Sequence, residues 1–194
     1  TFFVAGAVQV KAAEFVSEQY GFHVDIPAGF VNYPNDESIV LPDGTPMNVA
    51  VFAEDVDDET AYPIAIYLQR LGQEADPGER FDLEAMPGQG DIKYSVETIP
   101  WRELTLQVLR SEQSTEDGVR YLRLVVQIPL KDDSAQIGVG GPLDRAEDVS
   151  DVFASVVKGF VPDKTYVVKT EPYAAPTNET HALSFLIDGV ILLV

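Results

Sequence analysis

The sequence contains no cysteine, and this absence removes several kinds of chemistry at once. Without a thiol there is no disulfide framework, no thiolate nucleophile, no cysteine-based zinc site and no lipid-modified cysteine anchor. Histidine is almost absent too, since His23 and His181 are the only two. Residues so far apart in the sequence make a poor pair of metal ligands. We therefore interpret His23 as a strand residue whose ring is hydrogen-bonded, and His181 as a residue at the membrane interface.

Basic side chains are also scarce. The 13 Lys and Arg residues stand against 32 Asp and Glu, which gives a formal net charge of -19 at pH 7. Attraction to phosphate is the main sequence-independent contribution to nucleic-acid binding, so this charge argues against nucleic acid or an anionic lipid surface as the partner. With 45% hydrophobic and 10% aromatic residues, the 194-residue chain can bury one core of ordinary domain size.

The sequence has two apolar ends. TFFVAGAVQV lies in the N-terminal segment 1–17. It is typical of the end of a signal peptide or of a membrane span, and a buried strand would have the same composition. Because the chain starts with Thr1 instead of methionine, we expect a mature product or an excised segment.

The other end, HALSFLIDGVILLV at 181–194, has two interpretations. As a β-hairpin it would turn at Asp188-Gly189, but its arms do not alternate, so both faces would need burial. As a helix it is shorter than the roughly twenty residues of a membrane span, although it is still apolar at its last residue. We favour the start of a membrane helix, because a proline-containing linker over 164–180 precedes it. The residues expected to enter the membrane are Ala182, Leu183, Phe185, Leu186, Ile187, Val190, Ile191, Leu192, Leu193 and Val194.

The first half of the chain predicts strands and one helix. Alternating or continuous apolar residues predict strands at 20–27, 38–41 and 47–53, the last two as antiparallel neighbours. Within AYPIAIYLQRLGQ, four apolar residues have the i, i+3, i+4, i+7 spacing of a helix with one buried face: Ile64, Tyr67, Leu68 and Leu71.

The second half predicts four strands and a final helix. The strands are expected at 92–99, 103–113, 119–130 and 135–141, with hairpin turns in STEDGV and KDDSA. The helix is expected in LDRAEDVSDVFASVVKGF, with Asp144 and Glu147 as a capping box and Gly159 as its C-cap. Its buried stripe is Val149, Val152, Phe153, Val156, Val157 and Phe160. This order of elements predicts an α+β fold, an antiparallel sheet flanked by helices, over residues 18–163.

Few residues have the spacing of a chemical site. EDVDDE at 54–59 could offer oxygen ligands to calcium, but it lacks the glycine and distal glutamate of a helix-loop-helix site, so we interpret it as a solvated loop. GVGGP at 138–142 precedes the last helix without a P-loop or dinucleotide pattern, and tight packing of strand against helix explains it better. No serine stands in a G-x-S-x-G motif. We therefore expect no catalytic residue, cofactor or metal.

Trp101 and Arg102 form the one candidate contact with a partner. They follow Pro100 at a predicted turn, and Trp and Arg are enriched at binding hot spots. The alternative is that a lone tryptophan beside a turn belongs to the core.

Two fragments carry a family resemblance. YGFHVDIPAGF near the start and the closing AQIGVGGPLDRAEDVSDVFASVVKGF resemble the PsbP-like family over residues 18 to 161. That family includes a photosystem II extrinsic protein, a Ran-binding nuclear import factor and bacterial secreted or anchored domains. The resemblance implies an α/β/α sandwich with a non-enzymatic role in binding or assembly. The tail ALSFLIDGVILLV is similar to the start of the first membrane helix of RDD-family proteins, with His181 near the place of their arginine.

Together these observations predict a non-enzymatic binding or assembly domain outside the cytoplasm, tethered to a membrane by its tail. The expected partner is a protein or a second copy of the chain. One alternative is a self-associating surface protein whose apolar ends add strands to neighbours. The other is a hydrolase with a spatially assembled site, which would require a pocket with converging titratable groups.

Overall fold

The computed structural model describes residues 13–33, 47–56, 62–72, 81, 83, 92–115, 117–130 and 133–163. In these residues the chain forms ten strands, a 3₁₀ turn at Leu143–Arg145 and the helix α1 at Ala146–Gly159. The strands are β1 (Ala13–Ser17), β2 (Phe22–Ile26), β3 (Phe30–Tyr33), β4 (Asn48–Glu54), β5 (Ala65–Arg70), β6 (Lys93–Trp101), β7 (Leu104–Ser114), β8 (Arg120–Leu130), β9 (Asp133–Pro142) and β10 (Val161–Pro162).

Seven of the strands form one antiparallel sheet in the order β3-β4-β5-β9-β8-β7-β6. Long hairpins join β6 to β7 and β8 to β9, and β9 then inserts beside β5. A second, small antiparallel sheet has the order β1-β2-β10. The predicted α+β architecture and the four predicted strands of the second half are confirmed.

The main core lies between one face of the large sheet and a layer made of α1 and the small sheet. Alternate residues of β5, β8 and β9 face this layer, among them Ile66, Leu122 and Ile137, which are fully buried. Aromatic rings join the layers: Phe15 of β1 lies 5.5 Å from Phe52 of β4, measured between ring centroids. The predicted helical stripe is confirmed, with only Val152 partly exposed.

The opposite face of the large sheet, which we call the outer face, is also largely covered. It carries a buried polar row of Asn48, Gln69 and Gln136 on three neighbouring strands. Gln69 donates to Asn48 at 2.8 Å and accepts from Gln136 at 2.6 Å, so each amide has a partner. Phe81 packs against Leu109 and Val125 on the same face.

The helix predicted in AYPIAIYLQRLGQ is wrong, because this segment forms β5. Ile64, Ile66 and Leu68 face the main core, while Tyr67 and Gln69 face outward. A central strand covered on both faces has apolar residues at consecutive positions. Such a run fits helical spacing as well as strand alternation, so periodicity alone could not separate the two.

Two predicted helix caps are also wrong. The residue before α1 is Arg145, and no side chain caps the helix, so Asp144 and Glu147 form no capping box. Gly159 is the last residue of the helix, and Phe160 is the C-cap. A Cβ at Gly159 would lie 2.9 Å from the Cβ of Asp25, so this glycine allows close approach to β2.

The folded unit extends beyond the predicted boundary at residue 18, because β1 (Ala13–Ser17) pairs with β2 along its whole length. β3 (Phe30–Tyr33) was not predicted, and it takes the place beside β4 that was assigned to 38–41. The segment 38–41 lies outside the described residues, as do the linker from 164 onward and the tail.

Candidate binding groove

A groove lies at one end of the large sheet, where β4 ends, β5 and β8 begin, and β9 runs into the 3₁₀ turn. The antiparallel pairing brings these four termini together: Ala65 of β5 pairs with Gly140, and Tyr121 of β8 with Pro142. The groove encloses about 730 Å³. Its lining residues are Val56, Tyr62, Val119, Arg120, Pro142, Leu143, Asp144 and Arg145.

An ion pair between Glu54 and Arg145 fixes one wall. The two guanidinium nitrogens Nη1 and Nη2 donate to the carboxylate at 2.6 and 2.9 Å. Oε2 of Glu54 also accepts the backbone N–H of Ile64 at 2.9 Å, and Nε of Arg145 donates to Asp148 at 3.0 Å. The hydrogen bonds from Arg145 lower the pKa of Glu54, and the carboxylates in turn raise the pKa of Arg145. Both groups are therefore charged and held by each other.

The opposite wall is the turn between β7 and β8. Thr115 N–H donates to the Val119 carbonyl at 2.8 Å, and Val119 N–H donates to the Thr115 hydroxyl at 3.0 Å. Gly118 has a φ of 82°, in the left-handed region that glycine adopts without strain. The turn presents Asp117, which accepts a hydrogen bond from the Tyr62 hydroxyl, and this bond raises the pKa of Tyr62. Tyr62 is therefore a neutral phenol that joins the turn to the start of β5.

The groove thus combines an apolar floor with charged and polar walls. Val56, Val119, Pro142 and Leu143 supply the apolar surface, and 39% of Val56 is exposed. The lining itself carries two cations, Arg120 and Arg145, and one carboxylate, Asp144. Three further carboxylates are hydrogen-bonded to lining residues: Glu54, Asp117 and Asp148. With these included, carboxylates outnumber cations at the groove.

Trp101 and Arg102, the predicted partner contact, lie away from the lining of the groove. Trp101 is only 5% exposed, and its indole Nε1 donates to the Val157 carbonyl at 3.0 Å. The Arg102 guanidinium lies 5.0 Å from the Trp101 ring centroid, and Arg102 has a φ of 52°. The tryptophan is thus a core residue covered by its neighbour, and a partner contact there stays a prediction that would depend on Arg102.

The other predicted candidates fall in different places. Glu54, the first acid of EDVDDE, is bound to Arg145, while 57–59 lie outside the described residues. No group of metal-ligating side chains occurs in the part of the chain that the structure describes. GVGGP is part of β9, and a Cβ at Gly141 would lie 2.8 Å from Val149, so the predicted close packing of strand and helix is confirmed.

Of the two histidines, His23 falls in the described part of the chain. His23 of β2 lies 3.2 Å from the Asp163 carboxylate, while His181 and the apolar tail are outside the described residues. Among the described segments, no helix has the length and apolar character to cross a membrane.

The comparisons with known proteins bear on the fold. No protein-family model and no curated protein matches the sequence. Among solved structures, the chain is similar to a protein of Bacteroides thetaiotaomicron, with a TM-score of 0.51 and 12% identity over 80% of this chain and 49% of that chain. It is also similar to the Saccharomyces cerevisiae Ran-binding protein Mog1p, with a TM-score of 0.48 and 14% identity over 80% of this chain and 97% of that chain. A third is cyanobacterial PsbP (CyanoP) from Synechocystis sp. PCC 6803, with a TM-score of 0.46 and 13% identity over 81% and 95%.

The chain spans about half the length of the Bacteroides protein. At these identities the likeness concerns fold alone. The PsbP-like resemblance of the sequence implied an α/β/α sandwich. The observed fold confirms an α+β sandwich of this kind, with a single α-helix among the described residues.

Proposed function

We propose that this chain is a non-enzymatic binding domain that holds a protein partner in the groove at the end of its large sheet. The observation that carries the proposal is the combination of apolar lining residues with an arginine, Arg145, whose charge is paired with Glu54. Binding sites commonly place a few fixed polar groups around an apolar surface. Glu54 and Arg145 hold each other in one geometry, which suits recognition better than proton transfer.

The partner that fits this groove is a basic, partly apolar protein segment. The lining holds two arginines and one carboxylate, but three further carboxylates are hydrogen-bonded to lining residues, and the whole chain carries a formal charge of -19. Complementary charge speeds encounter and selects the partner, while the apolar floor supplies affinity.

A titration followed by NMR tests the proposal. The ¹⁵N-labelled full chain is mixed with a synthetic peptide of Lys and Leu, and with a matched peptide of Glu and Leu. We expect shifts from the Lys peptide to cluster at Val56, Val119 and Leu143, and to weaken as salt is added, because exposed charges are screened. Shifts spread over the whole surface, or equal shifts from the Glu peptide, would contradict a specific groove.

The domain is proposed to act outside the cytoplasm, tethered to a membrane by residues 181–194. Support comes from the sequence, where this tail has Asp188 as its only charge and follows a proline-containing linker. Flotation with neutral liposomes compares the full chain with a chain ending at Lys169. Flotation of the full chain alone supports tethering, whereas retention of both chains in solution overturns it.

Self-association through strand addition is the competing function, and it would use an edge strand. Among the described strands, β6 is the one long edge, and the other edge strands, β1, β3 and β10, have only 5, 4 and 2 residues. Short edge strands oppose such pairing, and along β6 the charges of Lys93 and Glu97 and the missing N–H of Pro100 oppose it too. We therefore expect a monomer in sedimentation velocity without lipid or detergent, and a stable oligomer there would favour self-association.

A further inference from the structure

Arg123 occupies an unusual position for a charged residue. It lies in β8, between β7 and β9, opposite Ser111 on one side and Gly140 on the other. Its neighbours in the strand, Leu122 and Leu124, face the main core, so Arg123 points to the outer face. From the strand registers, it is the one charged side chain that the described strands of the large sheet direct to this face.

Glycines and tyrosines shape the surroundings of this guanidinium. A Cβ at Gly138 would lie 3.7 Å from Arg123 Nε and Nη2, so the side chain lies over the bare backbone of β9. A Cβ at Gly140 would lie 2.7 Å from the Tyr121 ring. The ring can therefore occupy this position only because residue 140 has no side chain. On β5, beyond β9, the Tyr67 ring centroid is 5.7 Å from Arg123 Cζ. Two aromatic rings and two glycines thus form a cradle around one cation.

Arg123 has no anion to balance it among the described residues. Its Nε is shielded from solvent and makes no hydrogen bond there. By contrast, Arg70, Arg110, Arg120 and Arg145 each lie within 3.2 Å of a carboxylate. Burial raises the pKa of both tyrosines, so they are neutral phenols and do not compensate the charge. The side chain as a whole is half-buried. A shielded N–H of a charged group that has no acceptor is costly, and such groups in proteins are normally paired.

We propose that Arg123 is the receptor for a small ligand that carries a carboxylate, bound on the outer face with an aromatic or apolar body against Tyr67 and Tyr121. The planar guanidinium presents parallel N–H groups that match a carboxylate. A single negative charge neutralises the single cation. A doubly charged phosphate would leave one charge without a partner on a face where the described strands offer no second cation. The two rings favour a planar apolar body over a fully hydrated one.

The arginine side-chain N–H resonances of the full chain give a direct test. Benzoate and acetate are the carboxylate probes, and phosphate and chloride at equal ionic strength are the controls. We expect benzoate to shift the Arg123 Nε–H resonance in a saturable way. The affinity obtained from this titration should be higher for benzoate than for acetate. An absent shift, an equal shift with chloride, or a response to phosphate alone would overturn the proposal.

Variants sharpen the same test. Arg123→Met assigns the resonance. Arg123→Lys keeps the charge while removing the planar fork, so benzoate, followed on the backbone amides of Gly138 and Gly140, should bind about tenfold more weakly or worse. Arg110→Met is the matched control on the neighbouring strand, since Arg110 pairs with the core-facing Leu124 and so lies on the opposite side of the sheet from Arg123. Equal weakening by the Arg110 and Arg123 substitutions would overturn the assignment. Because the titration of the unaltered chain needs no variant, the proposal stays testable if Arg123→Met does not fold.

Discussion

Gly141 and Gly138 provide a matched pair of substitutions that tests how α1 docks on the sheet. Both glycines lie in β9. A Cβ at Gly141 would lie 2.8 Å from Val149 Cγ2 and 2.9 Å from Ile64 Cγ1, and both of those residues are fully buried. A Cβ at Gly138 would meet its nearest atoms at 3.7 Å, an ordinary van der Waals distance.

The expected magnitudes follow from these distances. Adding a methyl group to a close-packed core costs about 1–3 kcal/mol, because side chains and backbone must move to admit it. Replacing glycine by alanine also restricts the unfolded chain, which stabilises the fold by about 0.4–1 kcal/mol. Gly141→Ala should therefore lower the free energy of unfolding by about 1–2 kcal/mol. Gly138→Ala should leave it unchanged or raise it by up to about 1 kcal/mol.

Urea denaturation of the two variants and the unaltered chain measures this difference. We expect a lower midpoint for Gly141→Ala at an unchanged slope, since the surface exposed on unfolding is the same. If the two variants are equally stable, Val149 and Ile64 are not in tight contact with β9 and the described docking of the helix is wrong.

Three further predictions concern buried or paired polar groups. Glu54→Gln should lower stability by about 2 kcal/mol at neutral pH, since two charged hydrogen bonds are weakened. The pKa of Glu54 is depressed in the folded state, so its contribution is complete above the ordinary value of 4.5 and is lost as the pH falls through the lowered value. The stability difference between the two chains should therefore shrink in acid, and a constant difference across pH would refute the pairing. Trp101→Phe should cost about 1–3 kcal/mol, because the Val157 carbonyl loses its indole donor and the core loses volume; calorimetry measures this, and an unchanged melting temperature would contradict it. Gln69→Leu should cost about 1–3 kcal/mol in denaturant unfolding, since the Asn48 and Gln136 amides lose their shared partner, and a more stable variant would show that the polar row is dispensable.

The sequence predicted the second half of the fold better than the first. Strands β6 to β9 are long, and each pairs with the next strand along the chain. The local pattern of apolar and turn residues is therefore sufficient to predict them. β5 pairs with β9, whose partner residues lie some seventy positions later, as in Ala65 with Gly140. Local periodicity carries no information on such a partner, and burial on both faces removed the alternation that identifies a strand.

The groove could not be predicted from sequence. Its key ion pair joins Glu54 to Arg145, 91 residues apart, and its lining comes from four separate strand ends. Asp144 was read as a helix cap, but it lies in the 3₁₀ turn and lines the groove. Arg123 did leave a signal, since it interrupts the apolar run of a central strand in YLRLVV, where a charged residue on a covered face requires an explanation.

Binding at the groove is the central claim, and a pair of identical substitutions tests it most directly. Val56→Lys places a positive charge in the groove, whereas Val16→Lys places the same charge on β1 outside the groove lining. Both valines are exposed, by 39% and 51%, so both variants should fold. The affinity for the Lys and Leu peptide is measured by calorimetry for each chain. We expect Val56→Lys to weaken binding about tenfold, through loss of apolar contact and repulsion of the basic peptide, while Val16→Lys leaves it unchanged. Equal affinities of the two variants would show that the peptide does not use the groove and would contradict the proposed function.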